Sequence, residues 1–131
     1  MMRSVPSKPS KSTLIQAQQA PVHTEDIPHL SRFFSALADP TRLKLLVAIN
    51  SAGRLGATEC VKASGLSQGR TSVHLSCLTA CGLIAQERVG RRKYYRIASP
   101  IVPELLQLSN VLVDDNITAI QGCRTAQPTA S

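Results

Sequence analysis

After Gly82 the spacing of apolar residues drops from about 3.6 residues to about 2, and this switch constrains the fold more than any other feature of the chain. Before it lie short helical patterns, most of them closed by a glycine. After it, residues 83–89 and 91–98 flank Gly90 and carry Tyr94, Tyr95 and Ile97, residue types that favour strands. The switch predicts a two-stranded hairpin with a basic tip packed on a set of short helices.

The helices can be delimited by their stop and start signals. Ile27, Leu30, Phe33, Phe34 and Leu37 recur at helical spacing, predicting a first helix over 24–38 with Glu25 and Asp26 suited to its N-terminus. Asp39-Pro40 opens a second, because Asp is a good N-cap and Pro is favoured at the first helical position. Leu43, Leu45, Leu46 and Ile49 follow, and Gly53 closes it. A short helix over 57–63 ends at Gly65, Ser67 caps the next, and that one runs to Ala80 and stops at Gly82. Ser99-Pro100 opens a last helix over 100–116, with Ile101, Leu105, Leu108, Val111 and Leu112 in one stripe ending at Asp114 and Asp115. Two short helices joined by a Gly-containing turn and followed by a basic hairpin are the parts of a winged helix-turn-helix. The expected fold is mainly α with a two-stranded β wing. Residues 1–23 read as a disordered basic tail, 24–119 as the DNA-binding and dimerisation domain, and 120–131 as a flexible tail carrying Cys123.

Composition narrows the function. The net charge is +7, and between Ser67 and Arg96 six basic residues face one acid, Glu87. Such a stripe suits DNA, although a solvated charged hairpin would show the same count. No run approaches the roughly 18 apolar residues of a membrane span, and no apolar stretch follows the basic N-terminus to make a signal peptide. The expected location is therefore cytoplasmic, where cysteines stay reduced and serve as ligands or redox sensors. No substrate cleft or nucleophile–base pair argues for an enzyme.

On the fourth helix, Gln68, Arg70, Thr71 and Ser72 occupy the first turns, where helix-turn-helix proteins meet base edges. His74 is expected in packing or against the DNA backbone. Arg91, Arg92 and Lys93 at the hairpin tip are expected to neutralise phosphates. Cys77 and Cys81 follow at an i, i+4 spacing that sets both sulfurs on one face, turned about 100° or more from the Leu75–Leu78 direction. Such a pair suits a soft cation such as Cd, Pb, Hg, Zn or Cu(I) rather than Mg or Ca; the alternative is that both are small buried hydrophobes. Cys60, beside Val61 on a short core helix, reads as packing. His23 and His29 are weak candidates for a second site.

Three segments carry a family resemblance: Ala36-Leu37-Ala38-Asp39-Pro40-Thr41-Arg42, then Ser72-Val73-His74-Leu75-Ser76-Cys77-Leu78 with Gly82-Leu83-Ile84, then Gly90-Arg91-Arg92-Lys93-Tyr94-Tyr95-Arg96-Ile97. Together they resemble the ArsR/SmtB family of metal-responsive repressors. Cys77 and Cys81 in their setting resemble its cadmium- and lead-sensing CmtR-type members. The resemblance implies a homodimer on operator DNA that dissociates when Cd or Pb binds Cys77, Cys81 and Cys123, the last from the other subunit; sensing of Hg would need the same thiolates. The Cys-Val-Cys run of arsenic sensors is absent, Cys60 standing alone, and no His follows Tyr95, which argues against a zinc site on the last helix. A thiol-based redox or persulfide sensor of the same fold is the alternative.

Overall fold

A computed structural model describes residues 20–123; of the tails expected at 1–23 and 120–131, residues 1–19 and 124–131 lie outside the described residues. A 3-10 turn at Thr24–Asp26 leads into α1 (Ile27–Leu37), followed by α2 (Pro40–Ala52), β1 (Arg54–Gly56), α3 (Ala57–Ser64), α4 (Gln68–Ala80), β2 (Ile84–Val89), β3 (Arg92–Ile97), α5 (Ile101–Asp115) and α6 (Ile117–Gly122). The winged helix-turn-helix expected from the pattern is present, with two additions. β1 and α6 have no counterpart in the periodicity, because three and six residues are too few to show a period.

The caps work as their residue types require. Asp39 Oδ1 accepts from the Arg42 backbone N–H at 3.0 Å, and Ser67 Oγ accepts from that of Arg70 at 3.2 Å. The end of α4 is a Schellman closure: Gly82, at φ 77°, donates to Thr79 O, and Leu83 N–H reaches back to Leu78 O at 3.0 Å. Leu78 and Leu83 are both buried, so the closure also fixes where the chain enters the sheet. Cys81 is the C-cap residue of this helix.

The sheet runs in the order β1-β3-β2, antiparallel throughout. Val89 pairs with Arg92 across a two-residue turn in which Gly90 takes φ 62°, a conformation that glycine adopts without steric cost. β1 pairs Arg54 with Arg96 and Gly56 with Tyr94. Its place is reinforced by the Arg54 guanidinium, which lies 4.2 Å from the Tyr94 ring centroid and 3.4 Å from Glu87.

One core joins these layers: Leu45, Leu46 and Ile49 of α2, Cys60 of α3, Leu75 and Leu78 of α4, Leu83, Ile84, Tyr95 and Ile97 around the sheet, and Val102 of α5. Thr71 lies in it too, fully buried. Its hydroxyl donates to Ser67 O at 2.8 Å and sits 2.7 Å from Ser64 Oγ, which in turn accepts from Leu66 N–H. This hydroxyl pair pins α3 to α4 across the turn. Outside the core, α5 and α6 leave Leu108, Val111, Leu112, Ile117 and Ile120 exposed, and α1 leaves Ile27 and Phe34 exposed.

Thr71→Val keeps the shape but strips a hydrogen-bond partner from buried Ser64. It is expected to cost about 1–3 kcal/mol in the urea unfolding midpoint, whereas exposed Ser72→Ala should change it by under about 0.5 kcal/mol.

Candidate nucleic-acid interface and thiol pair

α4 organises the site because its three sides do different things. Thr71, Leu75 and Leu78, spaced i, i+4, i+7, point into the core. At about 100° per residue, Gln68 and Ser72 fall on one flank of that stripe, and His74, Cys77 and Cys81 on the other.

The first flank faces the wing. Gln68 and Ser72 line a groove of about 880 Å³ with Lys62 of α3 and Arg88, Arg91, Arg92 and Lys93 of the hairpin. Five cations around this concavity, with Glu59 the carboxylate among its lining residues, make it electropositive. Gln68, Arg70, Ser72, Arg91 and Arg92 are all exposed, and Lys93 is half-buried. Thr71 is the correction to the sequence reading. It was expected at base edges, but its hydroxyl is spent inside the fold, because position 71 falls on the same side as Leu75. Sequence reasoning passed over Lys62 and Val73, and took Arg88 only as part of the basic stripe. Val73 is a large apolar residue 69% exposed on α4, a signal that was visible only once the core side was known.

The second flank faces α1 and α2. Cys77 is half-buried and Cys81 is exposed. Partial burial raises the Cys81 pKa, the neighbouring Cys77 raises it further, and the charge of Arg42 acts in the opposite direction. Cys81 also lines a cavity of about 610 Å³ with His29, Leu30 and Phe33 of α1. His74 is half-buried and meets Arg42, its Nδ1 lying 3.3 Å from Nη1. The sulfur pair, on one face with Cys81 exposed, fits a soft cation. It supplies two ligands: among the described residues no three His, Cys, Asp or Glu side chains converge to hold a metal, and Cys123, after α6, does not complete such a group within one subunit. His23 and His29 form no such group either.

Cys60 differs in kind. It is fully buried beside the α2 leucines, and burial, with Glu59 next, pushes its thiol up to about 11. None of the four cysteines is in a disulfide.

A helix-turn-helix with an electropositive wing groove defines a winged-helix transcriptional regulator, not an enzyme. The model of the bacterial regulatory proteins of the arsR family matches residues 39–86, which span α2 through the start of β2. The chain is 48% identical over 93 residues to the probable mercury resistance operon repressor of Streptomyces lividans, covering 71% of this chain and 74% of that protein. It is 41% identical over 73 residues to the transcriptional regulator CmtR of Mycobacterium tuberculosis, covering 53% of this chain and 58% of that one. The homodimeric winged helix-turn-helix DNA-binding domain Mb0332 of Mycobacterium bovis superposes with a TM-score of 0.62 at 30% identity, covering 73% of this chain and 91% of that one. The chain belongs to the ArsR family.

The two kinds of cysteine should separate chemically. In the native protein at pH 8, iodoacetamide is expected to modify Cys77 and Cys81 and spare Cys60, as read by peptide mass spectrometry. Because folding raises the Cys60 pKa from 9.0 to about 11, its contribution to stability is full below pH 9 and is lost as pH rises through 11. A Cys60→Ala variant should show a smaller alkaline decline in melting temperature.

Proposed function

We propose that this chain is a homodimeric repressor that holds operator DNA through the wing groove and releases it when a thiophilic metal ion binds Cys77 and Cys81, with Cys123 of the partner subunit as third ligand. The observation that carries the reading is the i, i+4 pair of cysteines at the end of the recognition helix α4 itself, on the flank opposite Gln68 and Ser72. A ligand held there acts on the element that reads DNA.

Each part of the site has a role. Gln68, Arg70 and Ser72 reach base edges in the major groove, with Val73 offering an apolar contact to a thymine methyl. Arg91, Arg92 and Lys93, with Lys62 and Arg88, neutralise backbone phosphates and set affinity rather than sequence choice. The exposed apolar residues of α1 and α5, among them Phe34 at 53% and Leu112 at 64%, are buried against a second copy. The Cys77 and Cys81 thiols release their protons to solvent on binding, and their softness favours Hg, Cd or Pb over hard cations. The mercury and CmtR relatives support a metal effector of this class. A third thiolate from the partner ties the recognition helix to the other subunit. Metal binding therefore changes the spacing of the two reading heads, as any effector with unequal affinity for two states must.

Gel-shift titration in strictly reducing buffer tests this directly. Hg, Cd or Pb is expected to lower operator affinity by roughly 5–150-fold. Cys77→Ser and Cys81→Ser should bind operator normally and keep it in the presence of metal. Release by oxidant alone, with no response to metal, would instead establish the redox reading.

Two further outcomes are expected. Sedimentation at micromolar concentration should show a dimer, and a monomer with full DNA binding would overturn the interface. Neutralising Arg91, Arg92 and Lys93 together should weaken binding to every DNA sequence and flatten the salt dependence by up to about 0.9 per lost phosphate contact on each subunit. An unchanged slope removes the wing from the interface.

A further inference from the structure

We infer that Arg42 is the positioning residue through which loading of the Cys77–Cys81 pair is felt by the DNA-reading helix, an inference that rests on the metal-sensing reading above. Arg42 lies in the first turn of α2, but its side chain serves the two helices on either side. Nε donates to Ala36 O at 2.7 Å and Nη2 to Ser35 O at 3.3 Å, two carbonyls in the last turn of α1 where helix bonding runs out. Nη1 reaches His74 Nδ1 at 3.3 Å. A guanidinium only donates, so in this contact His74 Nδ1 is the acceptor.

His74, Cys77 and Cys81 stand at i, i+3 and i+7, one stripe along α4. Arg42 bonds the first of them, which stands one helical turn from Cys77. One cation, fastened to α1 at two points, therefore stands at one end of the thiol stripe.

Loading changes what that cation faces. Three neutral thiols carry no charge. Three thiolates around a divalent ion carry one net negative charge, their protons having gone to solvent. A new anion one helical turn from His74 competes with the imidazole for the guanidinium. The α1 carbonyls keep their bonds, so the contact given up is the one to His74, and with it the seat of the recognition helix against α1. Arg42 thus converts occupancy of the sulfurs into a shift between the DNA-reading helix and the helix proposed to pair the subunits.

The test compares operator affinity with and without one equivalent of Hg or Cd per site in wild type, Arg42→Gln, His74→Leu and His74→Gln, with metal binding followed separately by sulfur-to-metal absorption. Arg42→Gln and His74→Leu are expected to bind metal at wild-type stoichiometry while their metal-induced loss of operator affinity shrinks by roughly tenfold or more. His74→Gln, which keeps an acceptor, should retain most of the response. In wild type, metal should also move the His74 Nδ1 nitrogen resonance, a change that a purely structural bond would not show. His74→Leu leaves the α1 bonds of Arg42 in place, so it decides the matter if Arg42→Gln fails to fold. Wild-type release factors in both variants overturn the inference and leave metal sensing standing. Absence of release in wild type overturns the sensing reading, and the inference with it.

Discussion

The structure depends on burying one side of one helix. Thr71, Leu75 and Leu78 of α4 enter the core made by the α2 leucines and the sheet, and the Leu78–Leu83 closure holds the helix end there. A helix fixed along one side has no rotational freedom left. Gln68 and Ser72 then lie beside the wing, and His74, Cys77 and Cys81 beside α1 and the start of α2. Each buried leucine contributes on the order of 2 kcal/mol, so turning the helix by one residue would cost far more than any surface contact could return.

That fixed orientation separates two electrostatic environments across the width of a helix. On the wing side, cations from α3, β2, the turn and β3 surround a groove and stay hydrated until a polyanion replaces their counterions. On the other side, Cys81 is exposed and Cys77 half-buried, and partial desolvation raises the Cys81 pKa. Neither environment spoils the other, because the helix body lies between them. Under the proposed function, a metal held by the sulfurs acts on DNA binding through position rather than by direct charge cancellation.

Much of this was legible in the chain. Asp39-Pro40, Ser67, Gly53, Gly65, Gly82 and Gly90 mark the starts and stops where the structure has them, because capping and positive φ are local chemistry. The i, i+4 spacing set Cys77 and Cys81 together, and Leu75 and Leu78 gave the inward direction. Thr71 was misread because a polar residue in the first turns of a reading helix looks outward by type, whereas its position, four before Leu75, looks inward. β1 is held by pairing with β3 and by Arg54 on Tyr94, partners some forty residues away in the chain.

The sequence by itself determined helices α1 to α5, the hairpin and the thiol pair, since each rests on interactions within a few residues. Only the tertiary structure decided which cations share the wing groove, that Cys60 is sealed while Cys81 is open, and that Arg42 bridges α1 to His74 across 32 positions. Those facts depend on how separate elements pack, and packing is set by the summed burial of the core rather than by any local pattern.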